Sequence, residues 1–430
     1  MKLSSLVMFY FLLAVSVSGR NFSPEPALES AAGSWDFLLL PPDMAEPPVG
    51  DPWRGLAVFD VTDYGAIADG KTENSLAFMG AWEDACAYRG SSTLLIPEGS
   101  FFLAQVLFSG PCFGDLSPKV IILGTLIAPT TLTADVWIYF KSLRHLTITG
   151  NVGSGILDGQ GAETWLYGFN CRHRLSCGIF TTSLKLSDVS NATVSNISLV
   201  NSKGFHVALN GCDNIHLSGF NITAPWNSQN TDGIHISQST NINITASDIS
   251  VGDDCVSIGP GSINVSVSNV RCGPGHGISV GSLGRYREEK DVIGIRVENC
   301  TIKDTQNGVR VKTWPGGDHA SKATNLTFQN IVMFNVSNPI IIDQQYCPNH
   351  LCDIKESSGV KLSNINIKNI SGTYNSEFAV NLQCSSAVPC ENVQLSYINL
   401  TAIEPPETDD IGRFNCKGSL NNFSILNSTF

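Results

Sequence analysis

One short pattern keeps returning along the chain: alternating β-forming and polar residues, then a small residue or Asn, then another apolar residue. It appears as Thr193-Val194-Ser195-Asn196-Ile197, His216-Leu217-Ser218-Gly219-Phe220, Asn243-Ile244-Thr245-Ala246-Ser247, Val267-Ser268-Asn269-Val270, Val297-Glu298-Asn299-Cys300, Phe328-Gln329-Asn330-Ile331, Leu362-Ser363-Asn364-Ile365 and Leu395-Ser396-Tyr397-Ile398. Between the lead apolar residues the steps are 23, 27, 23, 30, 31, 34 and 33 residues. A period of this size marks a solenoid. A leucine-rich horseshoe would need a helix in each repeat, and none is patterned here. A propeller would need four antiparallel strands per longer blade, and the Asn-Gly hairpin signals that join such strands are scarce. The remaining architecture is all-β: a single-domain right-handed parallel β-helix, one coil per repeat. Apolar residues stack inside such a coil, and Asn or small residues turn its corners, where left-handed backbone is tolerated.

Upstream, Val58 to Gly70 reads as a short strand and a Gly turn. Residues 72 to 88 then place Leu76, Phe78, Met79, Trp82 and Ala85 at helical spacing. Such a helix would cap the open end of the first coil and protect its sheet edge.

Length alone, 430 residues, would suggest two or three domains, so the repeat is what argues for one. Hydrophobic residues at 42% and charged ones at 15% support a large core and exclude a disordered or coiled-coil chain. The net charge of −12 argues against a nucleic-acid partner. Any grip on an anion must therefore be local. Met1 and Lys2 precede an apolar run, Leu6 to Val17, that ends in small residues. This is the layout of a signal peptide over residues 1–19, and the run is too short to span a bilayer. Residues 20–52, rich in Pro, read as a linker or propeptide, leaving 53–430 as the β-helix domain. The 13 cysteines fit an oxidising compartment, and the odd count leaves at least one thiol. Close spacing suggests Cys171 with Cys177, Cys347 with Cys352 and Cys384 with Cys390. Twelve Asn-x-Ser/Thr tripeptides, from Asn191 to Asn427, are mostly by-products of corner Asn before a β-branched strand; Asn422 and Asn427 are the better glycan candidates.

Three segments break the apolar pattern: Asn230-Thr231-Asp232-Gly233-Ile234-His235, Gly252-Asp253-Asp254-Cys255 and Cys272-Gly273-Pro274-Gly275-His276-Gly277. Asp232 to Asp254 is 22 residues, and Asp254 to His276 is another 22, one short coil each time. Residues one coil apart in a parallel β-helix lie about 4.8 Å apart, so these groups form a ladder. Asp253 adds a third carboxylate, and mutual repulsion should raise at least one pKa, allowing a proton donor and a base to coexist. Adjacent strand residues face opposite ways, so Asp253 and Asp254 reach one cleft only if the backbone bends at Gly252. Spacing does not say which of the two donates. Further on, Arg310 and Lys312 lie on one strand face and suit an anionic sugar. Tyr346 is a weaker candidate for a sugar contact.

Asn230-Thr231-Asp232, Gly252-Asp253-Asp254, Gly275-His276-Gly277 and Arg310-Val311-Lys312 are similar to the four signature segments of the polygalacturonases, glycoside hydrolase family 28. The likeness runs from Val61-Thr62-Asp63-Tyr64-Gly65-Ala66 through Ser282-Leu283-Gly284 to Asn338-Pro339-Ile340-Ile341-Ile342-Asp343, and Val311, where Ile is commoner, is a minor departure. This resemblance implies inverting hydrolysis of α-1,4 bonds between galacturonates in pectin. Asp253 would donate the proton, Asp232 and Asp254 would hold and deprotonate the water, and His276 would tune the acid or contact substrate. Asn230, Arg310, Lys312 and Tyr346 would bind substrate, the two cations at the galacturonate carboxylate. It also implies a Cys255–Cys272 disulfide bracing the active-site coils. An inverting pair needs roughly 6.5 to 9.5 Å between donor and base, a separation that one or two coils can supply.

The expected protein is a monomer secreted to the cell wall, acting on polygalacturonate without metal or cofactor and without a nucleic-acid or membrane partner. Ser282-Leu283-Gly284-Arg285-Tyr286, with Arg287 and Lys290, resembles the terminal-acting plant members and gives a slight lean to exo action. Two other readings compete. A calcium-dependent polyuronide lyase on the same fold would give an unsaturated product, and a catalytically silent polysaccharide binder would be expected to have a broken acid ladder.

Overall fold

In a computed structural model, residues 56–131, 134–151, 153–168, 180–316, 321–348, 352, 356–404 and 414–430 are described. The expected signal peptide and linker, and the Cys171–Cys177 pairing, lie outside them. Residues Trp53–Phe430 form one unit. Its strands wind into a right-handed parallel β-helix, and every registered pairing between named strands is parallel.

Alternating patterns bury one face of each rung. In Thr240–Thr245, Ile242 and Ile244 point inward while Asn243 and Thr245 are half-buried on the outer face. Register stacks the inward residues into a column: Leu94, Val120, Ile148, Val194, Leu217, Ile244, Val267, Val297, Phe328, Ile367 and Leu395. Burying each such side chain contributes about 1.5–3 kcal/mol, and the stack is the main source of stability. One rung corrects the sequence reading. Phe328 pairs with Ile367, while Leu362 pairs with Ala323. The strand Lys361–Tyr374 contains two similar tripeptide patterns, and the second, Ile367-Lys368-Asn369, is the one in phase with the column. Corners behave as expected. Asn196, Asn269, Asn299, Asn330 and Asn369 have φ between 53° and 56°, and Asn330 Nδ2 donates to Asn299 Oδ1 at 3.1 Å.

The helix Ser75–Ala87 covers the N-terminal end. Phe78 packs edge-on against Phe101, and Trp82 against Phe108 and Phe140, which closes the first coils with aromatic rings. Leu76, expected on the buried face, is 79% exposed; the packed face runs Phe78, Ala81, Trp82, Ala85. A Cys86–Cys112 disulfide, not anticipated from spacing, ties this helix to the body.

Eleven strands, from Val106–Ser109 to Phe414–Lys417, make a separate sheet along one side. The acid segments lie at the bends that lead into its middle strands.

Candidate active site

Asp232, Asp254 and His276 each stand two residues ahead of a strand start: Ile234–Ser237, Val256–Ile258 and Ile278–Leu283. Ile234 pairs with Val256, and Val256 with Ile278, so each 22-residue step is one coil. The bend at Gly252 is demanded by crowding. A Cβ there would sit 2.0 Å from the Ser228 carbonyl oxygen, and its N–H donates to Thr231 Oγ1 at 3.0 Å. Beneath the bends, Cys255 and Cys272 form a buried disulfide, as the resemblance implied. Cys347–Cys352 and Cys384–Cys390 also pair, whereas Cys212, Cys300 and Cys416 are free thiols among the described residues.

Asp253, Asp254 and His276 each offer an atom within 4.8 Å of the others. Asp253, half-buried, receives two hydrogen bonds on Oδ1. His276 Nδ1 lies at 3.0 Å, and the Asp254 N–H donates at 2.9 Å. No described side chain bonds its Oδ2. Asp253 and Asp254 lie closer together than the roughly 6.5–9.5 Å of an inverting donor–base pair, as consecutive residues on one bend must.

Asp254 is 1% exposed and fully engaged. Oδ1 accepts from Ser279 Oγ at 2.8 Å and Arg310 Nη2 at 2.7 Å, and Oδ2 accepts from Lys312 Nζ at 2.7 Å. Burial pushes this carboxyl up, but the Lys312 and Arg310 charges outweigh it and hold Asp254 well below the usual carboxylate range. The two cations share one strand face, as alternation requires, but both are buried against Asp254 rather than exposed. Two positive charges meet one negative, so the trio keeps a local excess of one positive charge.

Asp232 differs in kind. Burial first, then the charges of Asp253 and Asp254, push it well above the usual carboxylate range, while Ser257 and Lys312 pull the other way. The sequence anticipated a raised acid here through repulsion, but burial is the larger cause and repulsion the smaller one. Ser257 Oγ donates to Asp232 Oδ2 at 2.6 Å, and His235 Nδ1 lies 2.8 Å from that hydroxyl. Sequence reasoning missed Ser257, Ser279 and His235. A signal existed: Ser257 and Ser279 are themselves 22 residues apart, in phase with the acids.

Of the remaining candidates, Tyr346 faces both cations, its ring centroid 5.7 Å from Arg310 Cζ and 5.2 Å from Lys312 Nζ. Trp314 meets Tyr346 edge-on, and Arg285 lies over Trp314 at 4.8 Å. Glu289 holds the loop carrying Arg285 by accepting from the backbone N–H groups of Gly284, Arg285 and Tyr286. Asn230 sits exposed with φ 55°, and its neighbour Thr231 makes the structural contacts.

The family model described as "Glycosyl hydrolases family 28" matches residues 86–419. The chain belongs to this family. It is therefore a glycoside hydrolase. Curated relatives include an exopolygalacturonase of Platanus acerifolia, 45% identical over 80% of this chain and 90% of that one. One from Zea mays is 43% identical over 80% and 83%, and a polygalacturonase of Gossypium barbadense is 43% identical over the same shares. Among solved structures, an endo-xylogalacturonan hydrolase from Aspergillus tubingensis shares the fold with a TM-score of 0.72 at 24% identity, covering 85% of this chain and 100% of that one.

Proposed function

We propose that this family 28 hydrolase cleaves α-1,4-galacturonosyl bonds of pectin from the chain end, with inversion at the anomeric carbon. The observation that carries the mechanism is the asymmetry of the two adjacent acids. Asp253 keeps Oδ2 unbonded, able to reach a glycosidic oxygen, while His276 and the Asp254 N–H fix its other oxygen. Asp254 has both oxygens tied to Ser279, Arg310 and Lys312, which makes it a poor nucleophile for a covalent intermediate. Such a carboxylate suits orienting a water, with Asp232 beside it taking the proton. Asp253 then donates to the leaving oxygen. Close packing of Asp253 and Asp254 is compatible with inversion when the water is held on the Asp232 side.

The excess positive charge at Arg310 and Lys312, with Tyr346 above, supports recognition of a galacturonate carboxylate, and Asn230 lies in the signature segment carrying Asp232. A calcium-dependent lyase is less well supported because both oxygens of Asp254 are already taken up by Ser279, Arg310 and Lys312, and the cations beside it oppose a divalent ion. The leader-like N-terminus and the disulfides support an enzyme exported to the cell wall. No helix among the described residues is long and apolar enough to cross a membrane.

Exo action is supported by the ordered Arg285 loop beside the cation pair and by likeness to relatives named exopolygalacturonases. Chromatography of early products from de-esterified polygalacturonate tests it. Galacturonate alone is expected; a ladder of oligomers would overturn terminal attack, and an unsaturated product would overturn hydrolysis.

A further inference from the structure

His235, Ser257, Ser279 and Arg310 are register partners on four successive rungs of the eleven-stranded sheet, forming a second column beside the acids. Its members work in two matching pairs. Ser279 donates to Asp254 and accepts from Arg310 Nε at 3.0 Å. Ser257 occupies the same place one coil earlier, donating to Asp232 at 2.6 Å with His235 Nδ1 at 2.8 Å behind it. A hydroxyl has a single hydrogen, so a Ser257 that donates to Asp232 must accept from His235, and the His235 proton then sits on Nδ1. The imidazole is held flat by Phe205, stacked at 4.6 Å and 23°.

We propose that His235 and Ser257 are positioning residues for the hydrolytic step: together they fix the Ser257 hydroxyl on Asp232 Oδ2, leaving Oδ1 to receive the water. This rests on the polygalacturonate-hydrolase reading above. The column gives each buried acid a hydroxyl clamp of the same geometry. Only the donor behind the clamp differs: Arg310 fixes Asp254 as a charged carboxylate, whereas a neutral imidazole lets Asp232 exchange its proton. Burial, and then the Lys312 charge, push His235 down to about 4, which keeps the ring neutral above that pH. The charged groups acting on the Asp232 carboxyl are Asp253 and Asp254 from the next bend and Lys312 from three rungs on, and the titratable His206 faces its backbone. His206 Nδ1 lies 3.1 Å from the Asp232 carbonyl oxygen, and burial keeps that ring neutral too.

The test compares wild type with Ser257→Ala, Ser257→Thr and His235→Phe, the last retaining a ring against Phe205 but no N–H. Steady-state rates on polygalacturonate are measured across pH. Losing the clamp removes a hydrogen bond to the ionised carboxylate, so the acidic limb of kcat/KM moves to higher pH by about one unit in Ser257→Ala. At the optimum, kcat falls roughly tenfold to a hundredfold with KM little changed. His235→Phe shifts both in the same direction by less, and Ser257→Thr restores the wild-type profile. An unmoved profile in both Ser257→Ala and His235→Phe, or a rise in KM alone, overturns the proposal; the latter would make His235 and Phe205 a sugar platform. The Asp232 carboxyl is followed in parallel by ¹³C NMR of protein labelled at the aspartate carboxyl carbon, its signal assigned by loss in Asp232→Asn. A higher titration midpoint in Ser257→Ala supports the clamp even if wild type proves inactive on polygalacturonate, and then only the substrate reading fails. An unchanged midpoint in an active enzyme defeats the clamp alone.

Discussion

Asp253→Asn is expected to lower kcat on polygalacturonate by about 10²–10⁴-fold, the usual worth of a general acid, while the melting temperature stays near that of wild type. The amide oxygen can still accept from the Asp254 N–H, so the bend survives, but the amide cannot release a proton to a leaving oxygen. Reducing-sugar release and thermal unfolding monitored by circular dichroism check the two halves of this statement. A variant retaining more than a tenth of wild-type turnover would move the acid's role elsewhere, with Asp232 the next candidate.

Arg310→Met is expected to be the most damaging change to stability in the site. It removes one of the two cations of a buried carboxylate and leaves Asp254 with Lys312 and the Ser279 hydroxyl, a type of loss that costs up to about 3–5 kcal/mol. The pH dependence follows from the direction of the Asp254 shift. A depressed carboxyl contributes stability above its unfolded pKa of about 4, and that contribution disappears as pH falls through the lower folded value. The gap between wild type and Arg310→Met is therefore widest near neutrality and narrows in acid below about pH 4. Urea unfolding at several pH values measures it. Adding Asp254→Asn to Arg310→Met should deepen the loss, because Lys312 is then a buried charge without its carboxylate. A constant gap across pH would mean that Arg310 stabilises by packing and not by pairing with Asp254.

Much of this arrangement is written in periodicity. A parallel coil repeats the same inward and outward sequence of side chains, so a step of 22 residues from Asp232 to Asp254 and again to His276 translates directly into vertical register. The inner column is legible for the same reason from Val194 onward, where Asn corners punctuate it. Upstream it fades. The step from Ile148 to Val194 carries an insertion containing the helix Ala162–Gly168, so the pairing of those two residues cannot be counted off. At Leu362 two similar tripeptides compete, and only pairing with the previous coil chooses Ile367.

The chemistry divides along a different line. Residue types disclose which groups carry charge, but not which are enclosed. Arg310 and Lys312 read as cations available for an anionic sugar, and their burial against Asp254 depends on a strand whose seven residues, Asn307–Thr313, are all buried. Serine is too common on outer strand faces to attract notice, so the clamps on Asp232 and Asp254 emerge only once the hydroxyls are seen within 2.6 and 2.8 Å of the carboxylates.

In the proposed mechanism a water, placed by a fully bonded Asp254 and by Asp232, attacks opposite to the bond that Asp253 protonates. The stereochemistry of the first turnover tests this most directly. Proton NMR of the anomeric region, recorded within minutes of adding enzyme to de-esterified polygalacturonate and before mutarotation, should show the new reducing end as the β anomer, with α growing in later. An α anomer at the earliest times would make one of these carboxylates a covalent nucleophile and contradict the account.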